Sequence, residues 1–129
     1  MLPFEFIVFG SPISLQTNNR ALLQAWKAKV RQTAIANLPI NTIPTRDLIQ
    51  VEVVYYYKRM PLDIDNIAKP ILDAFNLLIY IDDRQITDLI IRKRLIEPSV
   101  DTRELPLAIA SALNQNRPFI FVKIEFSAV

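Results

Sequence analysis

Six aspartates, Asp63, Asp65, Asp73, Asp82, Asp83 and Asp88, fall within the 63–88 stretch DIDNIAKPILDAFNLLIYIDDRQITD, together with a single lysine, Lys69. Carboxylates crowded in this way repel one another unless they are protonated or neutralised. A hard divalent cation resolves the conflict, because Mg²⁺ or Mn²⁺ takes one or two carboxylates together with waters and phosphate oxygens. Such an ion activates water and neutralises charge in phosphoryl transfer. Asp63 and Asp65 are two residues apart, and in extended chain that spacing puts both carboxylates on one face. Of the adjacent Asp82 and Asp83, one would point inward in extended chain. Lys69 lies one helical turn beyond Asp65, where it could contact a scissile phosphate or a developing oxyanion.

Each group also has a plainer reading. Asp65 can be a helix cap. Lys69 and Asp73 can be a surface i,i+4 pair worth a few tenths of a kcal/mol. Asp82-Asp83 can be a turn ahead of a strand. Asp88 reads as surface charge.

Composition narrows the chemistry further. The 129 residues contain no cysteine and no histidine, which excludes disulfides, thiolate zinc sites, imidazole ligands and Ser-His-Asp triads. Gly10 is the only glycine, so neither a Walker loop nor a Rossmann fingerprint is possible. Carboxylate, lysine, hydroxyl and bound metal remain. Hydrophobic residues make up 51% of the chain, enough for a core in one domain spanning 1–129. The longest apolar run, NLLIYI, is too short to cross a bilayer, and MLPFEF lacks the pattern of a signal peptide. A cytoplasmic protein without membrane association is expected. The net charge of +2 only mildly favours a polyanionic partner.

The acids must be positioned by the elements around them. PFEFIVFG (3–10) reads as a strand, and RALLQAWKAKVRQTAIAN (20–37) as a helix with Leu22, Leu23, Trp26 and Val30 on one side. Lys27 and Arg31 fall on another side. DLIQVEVVYYYK (47–58) is a second strand. Residues 66–79 predict a helix starting near Asn66, capped by Asp65 or Asn66, with Pro70 in or near its first turn. ITDLIIRKRLIE (86–97) predicts a third strand. DTRELPLAIASALNQN predicts a short helix, with Asp101 and Glu104 in capping-box spacing, and RPFIFVKIEFSA a last strand. The expected fold class is α/β (α+β): a mixed sheet of about four strands covered by two main helices plus a short third.

DIDNIAKPILDAF followed by IDDRQI closely resembles the signature of the RusA family of Holliday-junction resolvases, crossover junction endodeoxyribonucleases. The matching positions are Asp63, Asp65, Asn66, Lys69, Asp73, Asp82, Asp83 and Gln85. VFGSPISLQTNNR is similar to the family's first strand and the loop after it. The resemblance implies a small, dimeric, Mg²⁺-dependent nuclease that cuts four-way DNA junctions by paired symmetric incisions in recombination and repair. It implies Asp63, Asp65 and Asp83 as metal-binding catalytic acids, Lys69 as the catalytic or phosphate-contacting lysine, and Asp82 as a further metal ligand. Mn²⁺ is a possible substitute for Mg²⁺.

Arg20, Lys58, Arg59, Arg92, Lys93 and Arg94 are the candidate DNA-binding residues; Lys27, Lys29 and Arg31 are further basic groups. As a set they could track phosphates beside the acids without reading sequence. In the third strand Arg92 and Arg94 share one face and Lys93 takes the other. Two symmetric cuts call for two active sites, which a two-fold homodimer supplies. The alternatives are a nuclease of this fold acting on other branched or single-stranded DNA, and a junction-binding protein without turnover.

Overall fold

A computed structural model describes residues 1–59, 62–98 and 101–128. The chain runs β1 (Phe4–Phe9), α1 (Arg20–Asn37), β2 (Ile49–Tyr57), α2 (Ile64–Phe75), a 3-10 turn (Asp83–Gln85), β3 (Ile86–Leu95), α3 (Leu107–Leu113) and β4 (Phe119–Phe126). The four strands form one sheet in the order β1-β4-β2-β3. β4 is antiparallel to both of its neighbours, and β2 and β3 are parallel. This is the mixed sheet with two main helices and a short third that the sequence predicts.

The two sheet faces bury different sets of residues. Val51, Val53 and Tyr55 of β2 pack with Trp26, Val30 and Ala34 of α1 and with Ile67, Ile71 and Phe75 of α2. Val54 and Tyr56 face the other way, onto Phe119, Phe121 and Ile109 and Ala112 of α3. β2 is thus covered on both sides along its VVYY stretch, where its run of buried residues loses the alternation of a half-exposed strand. The sheet is therefore a partition: α1 and α2 on one face, α3 on the other.

Three expectations about local structure are corrected. α2 begins two residues before the predicted start and ends at Phe75, with Asp63 as its N-cap residue. Asp65 is therefore in the first helical turn, and the argument that places Asp63 and Asp65 on one face of extended chain does not apply. Pro70 is the seventh helical residue rather than part of the first turn. The short third helix starts after Pro106, so Asp101 and Glu104 form no capping box. Asp101 instead accepts from the backbone N–H of Arg103 at 3.0 Å and pairs with its guanidinium, closing a local turn.

Candidate active site

α2 carries Asp65, Lys69 and Asp73 at i, i+4 and i+8, one stripe along the helix. The stripe exists because its opposite side, Ile67, Ile71, Ala74 and Phe75, is buried in the sheet. Asp65 stands in the first turn, where the positive end of the helix dipole favours a carboxylate. The Asp63 side chain makes no capping hydrogen bond, which leaves its oxygens free for other partners.

The far end of α2 is held by specific contacts. A helix leaves its last four carbonyls without intrahelical partners. The Tyr80 hydroxyl donates to the Leu72 oxygen at 2.8 Å, and the Arg31 guanidinium of α1 donates to Ala74 and Asn76 oxygens at 3.0 Å each. The Asp73 oxygen accepts from Asn76 and the Phe75 oxygen from Leu78 and Ile79. Leu77 then adopts a left-handed backbone, φ 62°, which turns the chain back. Burial chiefly, with the charges of Asp83, Asp73 and Asp82 adding to it, pushes the Tyr80 phenol well above its ordinary pKa. Tyr80 is therefore a permanent donor beneath the acids.

That reversal brings the second acidic group to the helix. The Lys69 ammonium lies 2.9 Å from Asp73 and 3.3 Å from Asp83. Lys27 of α1 reaches Asp73 from the other side at 3.4 Å. The hydrogen bond to Asp73 holds the Lys69 pKa above that of an ordinary lysine, against an opposing contribution from partial desolvation. Lys69 and Asp83 are both substantially exposed, so this cluster faces solvent.

Gln85 fixes the DDRQ turn. Its carbonyl oxygen accepts from the backbone N–H groups of Ile81 and Asp82 at 2.8 and 3.0 Å, and its amide donates to Thr45 and Asp47 oxygens at 2.8 and 2.9 Å. Asp82 completes a capping box with it, accepting from Arg84 N–H at 3.0 Å. That bond is the main reason the Asp82 carboxyl is held below the usual carboxylate range. Asp82 is thus occupied by the turn, whereas Asp83 is turned toward Lys69. The plainer readings of Lys69–Asp73 and Asp82-Asp83, a helix pair and a turn before a strand, are both realised, and they are what assembles the cluster.

The chain matches the RusA endodeoxyribonuclease family over residues 12–125, from the loop after β1 to the last residue but one of β4. The chain belongs to the RusA family. Membership makes it a DNA nuclease of the Holliday-junction resolvase class. Among curated proteins none matches the chain.

Of the positions that carry the family resemblance, Lys69, Asp73 and Asp83 are brought into direct contact, and Asp65 stands one turn from Lys69 on the same stripe. Among the described residues no three acids gather as a ready-made cage for a metal ion. The donor set still suits a hard cation: the side chains are oxygen ligands, exposed to solvent, and a Mg²⁺ ion needs only one or two of them beside water and phosphate. From sequence, Lys27 and Arg31 are only further basic groups and Tyr80 has no assigned role. Lys27 and Arg31 are spaced i,i+4 on α1, and that paired cationic stripe was the available signal.

The basic candidates do not form one surface. Arg92 and Arg94 pair in register with Val54 and Tyr56, on the α3 face, whereas Lys93 pairs with Tyr55 on the face of α1 and α2. Arg92 is engaged by Glu52. Lys58 and Arg59 follow the end of β2, lining a cavity of about 490 Å³ with Ser11, Tyr55 and Pro118, and Arg20 opens α1, exposed. The expectation of one set beside the acids therefore does not hold for Arg92 and Arg94.

Proposed function

We propose that this chain is a Mg²⁺-dependent, structure-specific endonuclease that resolves four-way DNA junctions by paired symmetric incisions, as a cytoplasmic homodimer serving recombination and repair. The observation that carries the reading is the exposed Lys69 ammonium between Asp73 and Asp83, with Asp65 one turn away. A positioned cation among carboxylates, open to solvent, suits a phosphodiester better than a small neutral substrate.

In this reading Asp63, Asp65 and Asp83 hold the metal, with Asp82 beside them. The ion, or Mn²⁺ in its place, supplies charge neutralisation at the phosphate and an activated water. Lys69 has two acceptors and needs one: Asp73 alone keeps the ammonium in place, which leaves Asp83 available as a ligand. Lys69 donates to a non-bridging phosphate oxygen, stabilising charge as it develops. Lys27 balances the charge of Asp73.

The test is incubation with a labelled synthetic four-way junction in Mg²⁺, Mn²⁺ or EDTA. Paired cuts in either metal and none in EDTA are expected. Equal cutting of linear single strands would favour a general nuclease, and tight junction binding without cutting in any metal would favour a binding protein.

A further inference from the structure

β3 is an edge strand of ten residues, paired among the described residues on one side only, to β2. A long edge with exposed apolar residues is a template for pairing, which proteins that stay monomeric blunt or cover. Leu89 and Ile90 are 44% and 40% exposed here. The other edge, β1, has six residues and exposes only Glu5.

We infer that β3 is the homodimer interface, two copies pairing antiparallel about a two-fold axis through Ile90. The inference rests on the dimeric reading above and deepens it. Adjacent antiparallel strands related by a two-fold axis keep each face continuous, so only residues of the same face can oppose each other. An axis at Ile90 sets Leu89 opposite the partner's Ile91, twice, on the face of α1 and α2. On the other face it sets Asp88 opposite the partner's Arg92, twice, flanking the Ile90 pair. Neighbouring registers do not combine the apolar and the charged match. An axis at Ile91 sets Asp88 opposite Arg94 but opposes Ile90 to Arg92 and Leu89 to Lys93, and an axis at Leu89 opposes Asp88 to Ile90. An axis at Arg92 or Lys93 sets like charges together, which is destabilising.

The strand is built for that span. β3 is bulged at Thr87, since Ile49 pairs with Ile86 and Gln50 with Asp88, and pairing is regular from Asp88 onward. Residues 88–92 lie wholly within the regular part. Arg92 already meets Glu52, and its guanidinium has donors to spare for a second carboxylate.

The arrangement also orders the two active sites. β3 starts directly after the turn that holds Asp83. An axis at Ile90, perpendicular to the sheet, lies four residues or roughly 13 Å along the strand from Ile86. It leaves both copies of α2, and both acidic clusters, on one face of a continuous eight-stranded sheet (four strands from each copy). A single branched DNA laid on that face would meet both.

The experiment uses the absence of native cysteine. Ile90→Cys puts the only thiol of the full chain on the axis. Mild oxidation should give a covalent dimer in good yield, while Ile35→Cys, on α1 and more exposed than Ile90, should give none. Asp88→Lys, at a second exposed position, should weaken dimerisation by roughly tenfold or more, since it faces Arg92 with like charge. A wild-type dimer by light scattering with no Ile90→Cys cross-link overturns the β3 interface and leaves the dimeric reading standing. A wild-type monomer at micromolar concentration overturns both, and junction cleavage, measured separately, judges the nuclease reading.

Discussion

The backbone N–H of Leu15 donates to the carbonyl oxygen of Asn66 at 3.3 Å, tying the loop between β1 and α1 to the first turns of α2. In an uninterrupted helix the Asn66 oxygen would accept from residue 70. Residue 70 is proline and has no N–H to give. Pro70 thus leaves a carbonyl free within the catalytic helix, and the loop takes it. The helix continues through the proline because Ile67, Ile71 and Phe75 are buried against the sheet on either side of it.

Pro70→Ala should return the Asn66 oxygen to the helix and release the loop. The Leu15 amide should then exchange with solvent about fivefold faster, matching the loss of roughly 1 kcal/mol for one hydrogen bond. Amide exchange followed by NMR checks this, and unchanged protection of Leu15 would show that the loop is held by something else.

Most of the fold is legible in the sequence, and the misses share a cause. α1 occupies the residues that its apolar periodicity predicts, and its start is fixed locally, the Asn19 side chain accepting from Leu22 N–H at 3.0 Å. The four strands read correctly from β-branched and aromatic runs. α2 was misplaced because its ends are set from outside. Arg31, some 40 residues away in sequence, takes its terminal carbonyls, and Leu15 takes the one that Pro70 frees. No window of local sequence contains those partners. The same holds for the site. The DxD spacing and the DDRQ segment mark where the acids are, but the contact of Lys69 with Asp83 depends on the chain reversal at Leu77 and on the anchoring of Gln85. The capping-box spacing of Asp101 and Glu104 misled because Pro106 starts the helix later.

Gln85→Ala should destabilise the protein by about 2 to 4 kcal/mol. Four backbone groups, on Ile81, Asp82, Thr45 and Asp47, lose their partner at once, and leaving such groups unpaired costs about 1 to 3 kcal/mol each where water cannot replace it. Gln85→Glu keeps the acceptor and loses both donors, so it should fall between. Urea unfolding of the three proteins provides the ranking, and a Gln85→Ala variant as stable as wild type would mean that the DDRQ turn holds itself.

Lys69→Ala should lower cleavage by two orders of magnitude or more at saturating substrate, on the order of 3 to 4 kcal/mol in the barrier. Its stability should change by less than about 1 kcal/mol, because the pair is exposed. Asp73 retains Lys27, and Asp83, which loses its partner, is exposed enough for water to take its place. Single-turnover kinetics on the junction separates the alternatives: a change confined to KM would make Lys69 a binding residue.

Asp63→Asn, Asp65→Asn and Asp83→Asn should each abolish Mg²⁺-dependent cutting while leaving the chain folded. Asp73→Asn should differ, slowing cleavage about tenfold, because Asp73 positions Lys69 rather than holding the metal in this reading. Metal titration monitored by calorimetry distinguishes the two kinds of acid. Normal Mg²⁺ uptake by a folded Asp83→Asn variant would remove Asp83 from the metal site.

The partition of cations between the two sheet faces predicts which of them DNA feels. Lys93 shares the face of α1 and α2 with the acids, whereas Arg92 and Arg94 lie on the α3 face, where Arg92 is already paired with Glu52. DNA that reaches Lys69 lies on the former. Binding measured in Ca²⁺, where no cutting is expected, should therefore weaken in Lys93→Ala and in the double variant of Lys58 and Arg59 to alanine. Each lost phosphate contact should flatten the slope of log affinity against log salt by about 0.9. Arg94→Ala should leave both affinity and slope close to wild type, and Arg92→Ala should act on dimerisation before it acts on DNA. Asp83→Asn should bind the junction as well as wild type or better, since an uncompensated carboxylate repels phosphate and an amide does not. A slope that falls equally for Arg94→Ala and Lys93→Ala would mean that DNA wraps both faces of the sheet, and the acidic face would then be only part of its path.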